Sequence, residues 1–246
     1  MLIFKGGYPT YGQSLGILVF KGSCPRIPGD AGNALTFDFP VIYEIVGGNF
    51  SDLIEGSENI KQRLINSAQK LQKKGVSAII GDCGLMSLYQ RNIAENLTVP
   101  FISSSLILLP LIWKIQGEKG KIGIITGHSE YLKPHHLEAC GAQDLPVVIQ
   151  GMEDKEEFRK VVLEGKEYIN VELMKEDVIK AVDDLMKKST EIRSILLECS
   201  NLCSFSIDIR RHTHLPVYDL IAAVELLKYS IYPPDYENKF KKFSLI

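Results

Sequence analysis

Apolar and polar positions alternate along this chain in two rhythms. Short β-branched or aliphatic runs occur at Leu15–Phe20, Val41–Val46, Ser77–Asp82, Val99–Ser103, Lys121–Thr126, Pro146–Ile149, Ser194–Cys199 and Leu215–Asp219. Between them, apolar residues recur every three or four positions. Ile60, Leu64, Ala68 and Leu71 fall on one face of a helix, and so do Val178, Val182 and Leu185, flanked by Glu176, Asp177 and Lys180. Strand runs separated by helical stretches predict βαβ units and a parallel sheet.

The order occurs twice. Gly16 opens one set of four strands and Gly123 opens the other. In each set the third strand ends in an acid followed by cysteine, Asp82-Cys83 and Glu198-Cys199. Each fourth strand starts near a proline, Pro100 or Pro216, and the cysteine-to-proline separation is 17 residues in both halves. The expected fold is α/β. It has two similar lobes related by a pseudo-twofold, each with a four-stranded, mainly parallel sheet flanked by helices, and a cleft between them. Residues 1–117, completed by about 216–246, form the first lobe, and residues 118–215 form the second. A single doubly wound sheet carrying two unrelated cysteines is the plainer alternative.

Composition narrows the function without naming it. The 246 residues carry a formal charge of −2, which gives no electrostatic footprint for nucleic acid. Lys239, Lys241 and Lys242 cluster near the end and read as a solvated tail. The longest apolar stretch, Leu106–Trp113, is far short of the roughly 20 residues that span a bilayer, so no membrane partner is expected. No basic segment with an apolar run and cleavage site opens the chain, and the expected location is the cytoplasm. Five scattered cysteines argue against a disulfide framework and raise the question of reactive thiolates.

In open parallel sheets, ligands bind beyond the carboxyl ends of the strands. Cys83 and Cys199 both sit there, each before a helical segment whose first amides favour an anion. Such placement is expected to lower a thiol pKa and to let Gly84, Leu85, Ser200 and Asn201 amides hold a substrate carboxylate. Two thiols flanking one carbon suit inversion by proton transfer, one as base and the other as acid. This scheme uses no metal and no cofactor. Two buried, inert thiols are the alternative.

Four segments carry a family resemblance: Asp82-Cys83-Gly84-Leu85-Met86, Leu197-Glu198-Cys199-Ser200-Asn201, Pro25-Arg26-Ile27-Pro28-Gly29-Asp30 and Ile124-Ile125-Thr126-Gly127. Together they resemble the aspartate/glutamate racemase superfamily over nearly the whole chain. The resemblance implies a cofactor-independent isomerase, an amino-acid racemase acting on a small carboxylate, with Cys83 and Cys199 as acid and base. It also implies a homodimer, and substrate contacts from Asn33, Gly84, Thr126, Ser200 and Asn201. Typical glutamate racemases have Asp-Ser after the first strand and Asn-Thr after the first cysteine, where this chain has Phe20-Lys21-Gly22 and Gly84-Leu85. Two other readings stand beside racemisation. One is a hydantoin racemase, maleate isomerase or decarboxylase-like enzyme of the same superfamily. The other is a non-catalytic carboxylate-binding protein.

The remaining candidates have plainer expectations. Strand alternation should turn Asp82 and Glu198 away from the cysteines. Cys24, Cys140 and Cys203 read as structural. His135-His136 and His212-x-His214 lack metal-ligand spacing and read as surface or helix-end histidines. His128 is placed to rim the cleft. The Pro25–Gly32 loop is either a turn cluster or a flap offering Arg26 to a carboxylate.

Overall fold

A computed structural model describes residues 3, 6–8 and 10–236. The basic cluster at Lys239, Lys241 and Lys242 lies outside them. The eight strands among the described residues are β1 (Leu15–Phe20), β2 (Val41–Val46), β3 (Ala78–Gly81), β4 (Phe101–Ile102), β5 (Lys121–Thr126), β6 (Val147–Gly151), β7 (Ile192–Leu197) and β8 (Val217–Tyr218). They form two all-parallel sheets of identical order, β2-β1-β3-β4 and β6-β5-β7-β8. The two-lobed α/β fold expected from the repeat is the observed one.

The repeat has a packing cause that the sequence already contains. A Cβ on Gly16 of β1 would meet Leu71 at 3.0 Å, and one on Gly123 of β5 would meet Leu185 at 2.7 Å. Leu71 lies on the helix Glu58–Lys73 and Leu185 on the helix Val171–Lys188. In each lobe a glycine in the first strand thus lets the crossover helix lie directly on the sheet. The face of the first helix buries Ile60, Leu64, Ala68 and Leu71, and that of the second Val178, Val182 and Leu185. Ser57 accepts from the Ile60 amide and Asn170 from the Glu172 and Leu173 amides, which satisfies N–H groups at the two helix starts.

The lobes are joined by buried contacts. The core of the first sheet continues through Leu106 and Leu109 to Ile122, Ile124 and Leu196 of the second. Ser105 donates to the Leu197 carbonyl at 2.7 Å across that join. His135 and His136, expected as surface or helix-end histidines, lie in the short helix Pro134–Glu138 and place ring nitrogens against the Ile54 and Leu53 carbonyls of the first lobe. Burial pushes His136 down to about 4, so it makes this contact as a neutral ring. β8 pairs with β7, and the helix Leu220–Ile231 packs back against the core that contains β1 and β3. No helix among the described residues is long and apolar enough to cross a membrane.

Candidate active site

The carboxyl ends of β1, β3, β5 and β7 converge on one cavity of about 360 Å³ between the lobes. This is where parallel sheets present ligand sites, because the strand-to-helix turns open there. Cys83 and Cys199 both line it, with Gly84, Thr126, Ser200 and Asn201. Asn33 does not reach the wall. Its side chain caps the turn Ala34–Thr36 and donates to the Arg26 carbonyl at 2.8 Å, so it steadies the loop behind the site.

Each cysteine caps a 3₁₀ turn, Gly84–Tyr89 or Ser200–Phe205, and each is partly open to solvent through the cleft. The local amides of Leu85 and Asn201 pull the thiol pKa values down, as the sequence suggested. They lose to burial, which pushes both thiols well above the ordinary value, and the Glu198 carboxylate adds to the push on each. The expected lowering of the two thiols is therefore reversed. Desolvation by the surrounding protein outweighs one or two peptide dipoles.

Glu198 and Asp82 were expected to face away. Both line the cavity. β3 ends at Gly81 and β7 at Leu197, so the pleat no longer dictates side-chain direction one residue later. Thr126 donates to Glu198 at 2.8 Å, which commits its hydroxyl to that carboxylate. Burial raises Glu198, opposed by this bond and by the Gly127 amide. Across the cleft, Glu198 leaves room for no side chain at residue 84, because a Cβ on Gly84 would collide with the carboxylate. Gly84→Ala is expected to cost about 1–2 kcal/mol of stability through overpacking, measurable by urea denaturation. An unchanged midpoint would show that the two groups do not meet.

Behind the cysteines lies an ion cluster. Arg26 donates to Asp30 at 2.9 Å and to Asp82 at 2.8 Å, and both carboxylates are almost fully buried. Asn201 bridges the lobes by donating to Asp30 at 2.7 Å, and its Oδ1 accepts from Cys199 Sγ at 3.5 Å. The Pro25–Gly32 loop thus ties one cysteine turn to the other. Burial raises Asp82 to about 6 although Arg26 works against it. Cys24, taken as structural from sequence, also lines the cavity.

The opposite character appears on one wall. Phe20 and Phe50 of the first lobe and His128 and Tyr131 of the second line the same cavity. Their rings run in a chain: Phe20 to Phe50 at 6.0 Å, Phe50 to Tyr131 at 6.1 Å, and Tyr131 stacked on His128 at 3.9 Å. Only His128 was legible as a rim residue. Phe50 and Tyr131 belong to different halves of the sequence, and no local signal joins them.

No protein-family model matches the chain. It is 31% identical over 221 residues to a dimethylsulfoniopropionate lyase of Durusdinium sp. clade D, covering 86% of this chain and 73% of that protein. To dimethylsulfoniopropionate lyase 3 of Emiliania huxleyi it is 30% identical over 220 residues, covering 85% of this chain and 57% of the relative's length. Among solved structures, a liganded double mutant of arylmalonate decarboxylase superimposes with a TM-score of 0.62 at 14% identity, over 91% of this chain and 94% of that one. An aspartate racemase homologue from Pyrococcus horikoshii gives 0.56 at 19%, over 88% and 99%. At such identities the structural neighbours establish the racemase-like fold alone. The sequence relatives are lyases by name, and this overturns the isomerase expected from the cysteine pair.

Proposed function

The chain belongs to the dimethylsulfoniopropionate lyase family, and from that premise we propose that it eliminates a dialkyl sulfide from a β-sulfonio carboxylate of the dimethylsulfoniopropionate kind. The observation that carries this reading is the pair of thiols at matching strand ends lining one cavity. A cysteine thiolate takes the proton from the carbon next to the carboxylate. The released electron pair forms the carbon–carbon double bond. The bond from the β-carbon to sulfur breaks with its pair going to sulfur. The sulfide leaves neutral, the acid leaves as acrylate, and the proton stays on the cysteine until solvent removes it.

Racemisation and this elimination share their first step. They part because a positively charged sulfur on the neighbouring carbon is an excellent leaving group, so the carbanion collapses before a second acid can reprotonate it. The lining also suits a zwitterion. It offers Lys21 and Arg26 for a carboxylate, and Asp82 and Glu198 as negative charges. Lys21 has no ion-pair partner among the described residues. A bound sulfonium counters the upward push of Glu198 on the thiols and so favours the thiolate.

Purified protein given dimethylsulfoniopropionate should release dimethyl sulfide into the headspace and acrylate into solution in equal amounts. Absence of both, at a protein concentration comparable to substrate, would overturn the proposal. The raised thiols also set the pH dependence. The kcat/KM follows the free enzyme, so it should climb with pH into the alkaline range as the base loses its proton. Glu198→Gln removes the largest charge holding both thiols up and should move that climb to lower pH. A climb that moves to higher pH would show that Glu198 acts in another way.

A further inference from the structure

The aromatic wall has a chemical meaning that the thiols do not supply. Phe50 is 42% exposed although it lies in a cleft between packed lobes, and Tyr131 continues its surface from the other lobe. Phe20 and His128 extend the array at either end. Phe20–Phe50 and Phe50–Tyr131 meet edge to face, and all four residues line the one cavity. Ring faces carry negative quadrupole charge and attract weakly hydrated cations, quaternary ammonium groups above all. Glu198 lines the same cavity without a cationic partner among the described residues and adds negative potential there.

We propose that the wall formed by Phe20, Phe50, Tyr131 and His128 is an onium-recognition site, so that the pocket takes trialkyl-onium carboxylates, sulfonium and quaternary ammonium alike, and discriminates against uncharged isosteres. The proposal rests on the lyase reading for the substrate's carboxylate and chain length. It adds that binding selects the positive charge and its methyl coat, while the chemistry selects sulfur by leaving-group ability. A quaternary ammonium carboxylate of the same length is accordingly a competitive inhibitor. The wall draws on both lobes, so a bound onium group also bridges them.

The test is a pair of ligands that differ in charge and hardly in shape: 3-(trimethylammonio)propionate and 4,4-dimethylpentanoate. Calorimetric titration of the intact protein should show the ammonium compound binding at least about tenfold more tightly, the scale of one or two desolvated cation–π contacts. Phe50→Leu and Tyr131→Leu should each shrink that preference severalfold, and Tyr131→Phe should keep it. Far-UV circular dichroism checks that each variant is folded. Equal affinity of wild-type protein for the two ligands, or failure of the ammonium compound to bind, overturns the onium site. So does a preference that persists undiminished in both leucine variants. Sulfide release is scored separately. Absence of the charge preference in wild-type protein that releases sulfide rejects the aromatic site and leaves the lyase reading standing, whereas a charge preference without sulfide release rejects the lyase reading.

Discussion

Cys83→Ala and Cys199→Ala are expected to lose lyase activity unequally, the variant without the base falling by about 10²–10⁴ in kcat, the scale of a positioned general base. The asymmetry follows from the leaving group. A racemase needs a base on one face of the carbon and an acid on the other, so both thiols are indispensable. An elimination that expels a neutral sulfide needs no acid, because the departing sulfur already carries the positive charge that the breaking bond cancels. The other thiol then contributes packing and its share of the local potential. Both side chains are only partly buried and cap short turns with backbone groups, so alanine should preserve the fold. Dimethyl sulfide release by the two variants decides the matter. Full activity in both would exclude a cysteine base. Equal and complete loss in both would mean that each thiol takes part in the reaction.

Arg26→Met is expected to remove about 3 kcal/mol of folding stability at pH 8, at the lower end of the cost of breaking a buried ion pair because Arg26 keeps some contact with solvent. Methionine retains the volume and leaves Asp30 and Asp82 buried without their cation. The sign of the pH dependence follows from Asp82. Its folded value, about 6 even with Arg26 present, lies above the 3.8 of an unperturbed aspartate. A carboxyl raised on folding is favoured in its protonated form, so stability falls as pH rises from about 4 through the folded value. Removing Arg26 raises Asp82 further and widens that window upward. The deficit of Arg26→Met against wild type should therefore be largest at pH 8 and shrink toward pH 5. Denaturant unfolding at the two pH values measures it, and an equal deficit at both would show that the ion cluster is not its source.

The racemase-like motifs and the lyase relatives describe one scaffold at two levels. On the proposed reading, its thiols, turn amides and interlobe cavity serve to take a proton from carbon beside a carboxylate. What happens next depends on what the neighbouring carbon bears. In this chain the substitutions near the first strand end put Phe20 and Lys21 into the cavity wall. An apolar ring and an ammonium there suit a zwitterion that is alkylated at one end and anionic at the other.

By itself the sequence determined the eight strands among the described residues, their grouping into two equivalent lobes and the placing of Cys83 and Cys199 on one cavity. Those features rest on short-range pattern: β-branched runs make strands, Gly16 and Gly123 admit the same helix packing twice, and matching topology brings matching strand ends together. Tertiary structure decided the rest. Asp82 and Glu198 face the cavity because the strands end one residue before them, a boundary set by pairing rather than by residue type. Thiol acidity went up instead of down because desolvation is contributed by atoms of both lobes, whereas the helix-start amides are local. Phe50 and Tyr131 became neighbours only when two halves of the chain closed on each other, and a contact of that kind has no signature in either half alone.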